Sequence, residues 1–530
     1  MPAPDWLTYF RPHPNQQIPA WFRFLVAILT GAGLSLSYTG FYLQIYSWFC
    51  LGLLLIVLFG ARPRVAFFCG FLHGLTFCLT SVPWIAEVLS VHGGLSTAGG
   101  WGVLFLIAAA WGILIGTFAW AVNRIAKQSL IRGCVAAPFI WVTFEFVRAH
   151  LPEISFPWNL LGYPASSNLA LLQLTSLTGI YGLTFLVAAF NALLAWADAA
   201  DAPKSSRRVA AVAGAALVII VVMLTGQKLV PASRAGHFAR GVQLNFPEVE
   251  SYPANWWDAN APDLREAVQL STAQSPHHPD LIIWPEAPAP FSWQDPRFVA
   301  MATGIAQTAK TPFLVGVIEW KREMQPSGRM GTSPYNSALL LNASGQRVYS
   351  YDKIHLVPFG EYEPFPLIHR VVTSVSGEVG GFHKGKDYTL GTLPGDFKFG
   401  TFICYEAIYP GEIRKFAAEG ANLLINISND GWFGKSAAAE QHLHMARVRA
   451  VENRRWLLRV TNSGITASVD PYGRIYAPLP RDQRTAVDLP YDFRTDTSFY
   501  ARFDDWFAWL CVLISIILVA HTFWKRPNDP

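Results

Sequence analysis

Three short segments carry residue types that together could do nucleophilic chemistry. Phe402-Ile403-Cys404-Tyr405-Glu406 sets a thiol at the end of an apolar run, just before Ala407 and Pro410 open a helix. Trp284-Pro285-Glu286 ends a second run with a carboxylate, and Tyr351-Asp352-Lys353-Ile354 ends a third with an ammonium. A thiol of ordinary pKa, about 8.5, is only a few per cent thiolate at neutral pH, so it needs a base or a neighbouring cation. Lowering that pKa by about 2 units corresponds to about 2.7 kcal/mol, which a cation in contact within a dry cleft is expected to supply. Taken singly, a glutamate or a lysine at such a position is most often a surface charge. Three strand ends together offer nucleophile, base and cation.

The elements that must position them read as alternating strands and helices. Apolar runs rich in Val, Ile and Phe fit strands at Ala239–Leu244, Leu281–Trp284, Phe313–Glu319, Asn336–Asn342, Arg347–Ile354, Gly400–Cys404, Leu423–Ile427, Leu457–Thr461, Ala467–Val469 and Thr485–Asp488. Helical periodicity fits 259–273, 295–309, 410–419 and 438–454, the last with Glu440 to Glu452 on a charged face. Such alternation predicts α/β layers. A cysteine at a strand-to-helix turn exposes its side chain and brings backbone N–H groups to bear on what it attacks.

The rest of the chain is a different solvent problem. Hydrophobic residues make up 52% of the 530 and charged residues only 15%, against roughly 25% charged in soluble domains. The deficit is concentrated in 1–227 and 505–524. Apolar runs near 20–38, 42–60, 65–88, 99–122, 133–150, 168–197, 208–226 and 505–524 give about eight spans of the length a bilayer requires. Five of the six cysteines, Cys50, Cys69, Cys78, Cys134 and Cys511, fall in these runs, where a small apolar residue needs no further account. The division is 1–227 as a seven-span membrane domain, 228–503 as a water-exposed catalytic domain, and 504–530 as a returning helix with a short tail.

Orientation follows from basic residues in short loops. Arg11, Arg23, Arg62, Arg64, Arg124, Lys127, Arg132, Lys204, Arg207, Arg208, Lys525 and Arg526 fall on one side, and essentially Arg148 alone on the other. Both termini are therefore expected in the cytoplasm. In a bacterium that places 228–503 in the periplasm, on a multi-pass protein of the inner (plasma) membrane. The segment holding Glu145, Arg148 and Glu153, then Ser155 to Tyr163, reads either as an interfacial loop anchored by Trp158 and Tyr163 or as the wall of a lipid-entry cleft. His73 reads as a packing histidine. The net charge of +5 is spread over span ends, so no nucleic-acid partner is expected. His442 and His444 diverge on a helix, and no metal and no cofactor are expected.

The three strand-end segments resemble the nitrilase superfamily, whose Glu–Lys–Cys triad sits on an αββα sandwich. The spans around them make the chain similar to its membrane-embedded branch, which acylates lipoproteins. The resemblance extends over nearly the whole chain. It includes Lys353 to Pro364, Cys404-Tyr405-Glu406, Ser428-Asn429-Asp430 with Trp432-Phe433-Gly434, and Arg447 to Thr466. It implies an α-helical transmembrane bundle joined to a nitrilase-like sandwich, with Cys404 as nucleophile, Glu286 as general base and Lys353 as the cation that holds the oxyanion. It further implicates Glu361, as a carboxylate orienting Lys353 or an amine, and Tyr405 and Glu406, as pocket or as support for the turn. Trp257 is carried over more weakly, because Trp256 competes for the match.

The implied reaction takes an acyl chain from a phospholipid donor onto Cys404 and passes it to a diacylglyceryl-modified apolipoprotein, the acceptor being the α-amine of its N-terminal cysteine. Both partners are embedded among membrane lipids. Apolar loops at Phe359–Ile368 and Trp432-Phe433 are candidate lids. The alternative is a membrane-anchored amidase or nitrilase-like hydrolase with the same triad. Lys321–Pro334 and Val372–Tyr388 match no motif.

Overall fold

Period-two alternation in the strands of the water-soluble part decides how its layers stack. In the computed structural model, which describes residues 18–39, 41–152, 155–199, 202–249, 252–324, 328–358, 360–362 and 381–524, the strands are β1 (His237–Gln243), β2 (Leu281–Ile283), β3 (Phe313–Met324), β4 (Met330–Leu341), β5 (Arg347–Asp352), β6 (Leu390–Leu393), β7 (Phe397–Ile403), β8 (Leu423–Ser428), β9 (Trp456–Thr461), β10 (Ala467–Val469), β11 (Ile475–Tyr476) and β12 (Thr485–Tyr491). One six-stranded sheet runs β12-β1-β2-β3-β4-β5, the other β11-β10-β9-β8-β7-β6. Each has a parallel centre, β1-β2-β3 and β7-β8-β9, and antiparallel margins.

Ile283, Leu314, Leu340 and Tyr351 of the first sheet share one buried cluster with Phe402, Ile425 and Leu458 of the second, so the sheets pack face to face. The alternate residues Ile282, Phe313, Val315 and Leu339 join Leu264, Ala302 and Ile305 in a second cluster, which places helices Ala261–Thr272 and Pro296–Ala309 on the outer face. Strand β8 is buried at every position, as a strand covered on both faces must be. The result is a nitrilase-like αββα sandwich. Truncating one of its fully buried aliphatic side chains to alanine costs about 2–5 kcal/mol.

Two strands, β6 and β11, were not expected. Both are short marginal strands, of four and two residues, too brief for alternation to register. In the motif-free polar stretch, Lys321–Met324 and Met330–Pro334 form the distal part of the β3–β4 ladder, paired continuously from Phe313↔Leu341 to Met324↔Met330. The loop 372–388 lies in part outside the described residues, as do lid residues Phe359 and 363–368 and Glu153. Helix Ala438–Asn453 has no solvated charged face. Arg449 and Glu452 are fully buried and paired at 3.0 Å, and Arg447 is buried as well. A charge pattern at helical spacing is thus a buried ion network here, because the helix is covered all round.

The chain divides into two compact units, 1–86 with 97–230 and 505–530, and 87–96 with 231–504. In the first, six helices among the described residues are long and apolar enough to cross a membrane: Pro63–Ser81, Thr97–Gln128, Leu130–Ala149, Ile180–Asp198, the segment Ser206–Leu229, and Trp506–Phe523. The expected count of eight is not met by length. The run at 20–38 gives a helix of 17 residues, Ala20–Leu36. The run at 42–60 breaks into a 3₁₀ turn, Phe41–Trp48, and a helix Cys50–Leu58. The run at 168–197 is interrupted by short turns and by Gly179 at φ +63°. Arg23 is not a free flanking charge. It is buried and donates to the carbonyls of Ile18, Val57 and Phe59.

Nor is Ser155–Tyr163 an interfacial belt. Trp158 is fully buried, stacked on Phe156 and 5.0 Å from the Trp84 ring, and Tyr163 is buried too. Glu145 accepts from Trp141 Nε1, Leu161 N and Thr184 Oγ1, which satisfies a carboxylate inside an apolar bundle. His73 is buried with Nδ1 3.0 Å from Thr30 Oγ1.

Candidate active site

Strand ends β2, β5 and β7 converge, and each delivers one side chain. Pro285 closes β2, since it cannot continue the ladder, and Glu286 follows. Gly316 on β3 is required there: a Cβ would meet Pro285 O at 2.5 Å and Glu286 Cα at 2.7 Å. Lys353 stands directly after β5. Cys404 stands directly after β7 and opens a 3₁₀ turn, Cys404–Ile408, that leads into helix Pro410–Ala418. Its φ of +49° lies in the left-handed region, rare for a residue with a Cβ and typical of functional turns.

Lys353 is 1% exposed and its Nζ lies 3.0 Å from Glu286 Oε1 and 2.9 Å from Glu361 Oε1. Asn336, on β4, donates Nδ2 to both of those oxygens at 2.7 and 2.8 Å. The second oxygens are held by backbone: Asn429 N donates to Glu286 Oε2 and Val357 N to Glu361 Oε2, each at 2.8 Å. Burial works against the charge on Lys353, but Glu286 and Glu361 outweigh it and hold the ammonium well above its ordinary pKa.

The Cys404 thiol is 6% exposed. Burial first, then the charge of Glu286, push it upward, and Lys353 and a hydrogen bond with Ser428 do not compensate. This reverses the expectation that the cation alone would supply a thiolate at rest. The nearby cation is already neutralised by two carboxylates, so its field at sulfur is small.

Glu406 is a brace. Its carboxylate is buried and accepts from Ile403 N at 2.6 Å, Ile354 N at 2.7 Å, His355 N at 3.1 Å and Tyr351 Oη at 2.8 Å. It thereby ties the backbone after Lys353 to the backbone before Cys404. Burial raises its pKa to about 7 against those donors. Tyr405 is buried between His355 and Tyr409, at ring distances of 6.0 and 5.5 Å. Trp257 is elsewhere: it packs on Phe291 at 5.8 Å, under the Arg297 guanidinium at 5.0 Å, and beside Trp256. Among the described residues, no ring contact or ion pair joins those groups to Glu286, Lys353 or Cys404.

Sequence reading missed Asn336 and Glu248. Asn336 sat inside a strand pattern, where an inward amide looks like any polar alternate. Glu248 accepts from Asn462 Nδ2 at 3.0 Å, and burial raises its pKa to about 7, with Asn429 among its partners and the charge of Glu286 close enough to act on it.

A two-sheet sandwich that brings a carboxylate, an ammonium and a thiol together from three strand ends fits a carbon–nitrogen hydrolase domain, and the family model described as Carbon-nitrogen hydrolase matches residues 241–491. A second, the Apolipoprotein N-acyltransferase N-terminal domain, matches 30–193. The apolipoprotein N-acyltransferase of Geobacter metallireducens is 32% identical over 511 residues, covering 95% of this chain and 96% of that one. That of Rhodopseudomonas palustris is 32% identical over 402 residues, 72% of each. A solved amidase of the nitrilase superfamily from Nesterenkonia matches at 16% identity and a TM-score of 0.36, covering 52% of this chain and 95% of that one. The chain belongs to the apolipoprotein N-acyltransferase family. It is a membrane acyltransferase with a carbon–nitrogen hydrolase domain.

Proposed function

We propose that the enzyme transfers an acyl chain from a phospholipid, through a thioester on Cys404, to the α-amine of the N-terminal diacylglyceryl-cysteine of a lipoprotein. The observation that carries this reading is the buried Lys353 ammonium bridging the buried Glu286 and the part-buried Glu361 at 3.0 and 2.9 Å beside a thiol set on a left-handed turn.

Because the resting thiol is protonated, Glu286 acts as a general base and not as a spectator to a preformed thiolate. Glu286 takes the Sγ proton as sulfur attacks the ester carbonyl. Lys353 and the backbone N–H of Tyr405 hold the oxyanion. On collapse the carbon–oxygen bond breaks, and the leaving alkoxide recovers the proton from Glu286 as lysophospholipid. In the second half the neutral amine attacks the thioester and gives its proton to Glu286. The carbon–sulfur bond breaks and sulfur is reprotonated. Glu361 holds Lys353 in place throughout, and Glu406 and Tyr405 support the turn.

The proposed layout keeps 1–227 and 504–530 in the inner membrane with both ends cytoplasmic, and 228–503 in the periplasm, where both lipid substrates are accessible. The family places transfer ahead of amide hydrolysis. Mass spectrometry of the full chain after exposure to phospholipid tests the reading: an acyl adduct on Cys404, absent in Cys404→Ala and severely reduced in Glu286→Gln, is expected. Persistent labelling of Cys404→Ala would overturn it. A product assay separates triacylated lipoprotein from released free acid.

A further inference from the structure

Behind Cys404 lies a buried polar chain that the reaction as written does not use. His442, on helix Ala438–Asn453, is fully buried, and its Nε2 lies 3.0 Å from the carbonyl oxygen of Cys404 itself. A carbonyl only accepts, so Nε2 carries a proton whether the ring is neutral or charged. On the other side, Nδ1 lies 2.9 Å from Asp430 Oδ1 and 3.2 Å from Arg459 Nη2. Asp430 is itself locked by Arg459 Nη2 at 2.6 Å and Ser428 Oγ at 2.7 Å. Burial opposes the charge of Asp430, but Arg459 and His442 overcome it and hold the carboxyl well below the usual range. Gly464 leaves the room: a Cβ there would meet Asp430 Oδ2 at 2.4 Å.

The same three-residue segment reaches the base. Ser428, whose hydroxyl proton goes to Asp430, lies within hydrogen-bond reach of Cys404, Asn429 N donates to Glu286 Oε2, and Asp430 orients His442. One turn after β8 therefore indexes nucleophile and base against each other. The bond to the Cys404 carbonyl is the piece that acts on the strained residue. A left-handed non-glycine backbone is unfavourable and persists only where its surroundings over-determine it.

We propose that His442 is a positioning residue for acyl transfer: its Nε2–H bond to the Cys404 carbonyl, backed by Asp430 and Arg459, fixes the turn that presents Sγ to Glu286 and to the acyl donor. This rests on the thioester reading above. It acts through Cys404 and touches no substrate.

The test compares His442→Leu, His442→Asn and His442→Gln in the full-length enzyme in detergent. One readout is the single-turnover rate of Cys404 acylation by a phospholipid with a labelled acyl chain. The other is the rate of Cys404 alkylation by iodoacetamide. Removing the bond is expected to slow both by about 10–100-fold in Leu and Asn, from the value of a buried hydrogen bond. KM for phospholipid should stay within about threefold, since only the attacking atom is displaced. Glutamine, whose amide reaches the carbonyl that asparagine falls short of, is expected to restore most of both rates. Wild-type rates in Leu or Asn, or a Gln variant no faster than Asn, would overturn the proposal. If Leu does not fold, the Gln and Asn pair decides. Loss of the fold in both of those counts against the proposal, since His442 would then serve the fold alone. If the wild type gives no acyl adduct, the thioester reading fails, and the alkylation series still judges His442.

Discussion

Replacing Lys353 by methionine removes the one charge between two acids. Glu286 Oε1 and Glu361 Oε1 both accept from Asn336 Nδ2, at 2.7 and 2.8 Å, so they stand no more than about 5 Å apart. At an effective dielectric of about 20, two unit charges at about 5 Å repel by about 3.3 kcal/mol, or about 2.4 pK units. Without the ammonium, that repulsion favours the protonated form of one carboxyl of the pair. The variant should lose acylation for two reasons: the oxyanion loses its cation, worth about 10²–10³ in rate, and the base is blocked over part of the pH range. Single-turnover acylation of Cys404 measured between pH 5 and 9 reads both. The residual rate should rise with pH through the neutral range, because the base regains its free form there. The thermal midpoint, followed in parallel, shows that the fold survives. A Lys353→Met enzyme within tenfold of wild type, or one whose residual rate is flat over that range, would refute the assignment of charge in this pocket.

Three further outcomes follow from the geometry. In Glu406, a folded pKa of about 7 above an unfolded value of about 4.3 means the folded state binds the extra proton; its contribution is full below the unfolded value and is lost as pH rises through about 7, so melting of the wild type should fall across that window and Glu406→Gln should flatten the slope. Gly316→Ala puts a Cβ against the Glu286 backbone and should cost about 1–3 kcal/mol by denaturant melt, with a larger loss of acylation than of stability. Glu452→Ala leaves the fully buried Arg449 without its 3.0 Å partner and should destabilise by about 3–5 kcal/mol, whereas a melt shift under 1 kcal/mol would show that the pair is dispensable.

The αββα layers were legible because buried strands such as Leu423–Ile427 and Gly400–Cys404 carry a strong apolar signal. Cys404, Glu286, Lys353 and Glu361 were legible as strand-end chemistry joined to a resemblance, and the structure places them in one neighbourhood. Asn336, Glu248 and the Asp430–His442 pair were not legible as partners. Their meaning lies in contacts between residues up to 214 positions apart, such as Asn462 with Glu248, which no local pattern encodes. The span count failed for a different reason. Hydropathy sees composition, while Gly179 and the turn at Phe41–Trp48 decide where a helix can run unbroken. The charged pattern of 438–453 misled because periodicity reports which residues share a face and is silent on what covers that face.

Two carboxylates bracketing a single ammonium leave the pocket formally one unit negative. On the proposed mechanism that residual charge persists after the thioester forms, since the acyl group is neutral. It then acts as a kinetic gatekeeper between competing acceptors. Hydroxide and carboxylate nucleophiles are repelled from the acylated sulfur, while an ammonium is drawn in, releases one proton to bulk solvent, and attacks as the neutral amine with Glu286 free to take the second. Discrimination of amine from water would then owe as much to an electrostatic imbalance as to the exclusion of solvent. The ratio of amide to free acid formed from preacylated enzyme, compared between wild type and Glu361→Gln, measures it: a ratio unchanged by the neutral substitution would remove the charge from the account.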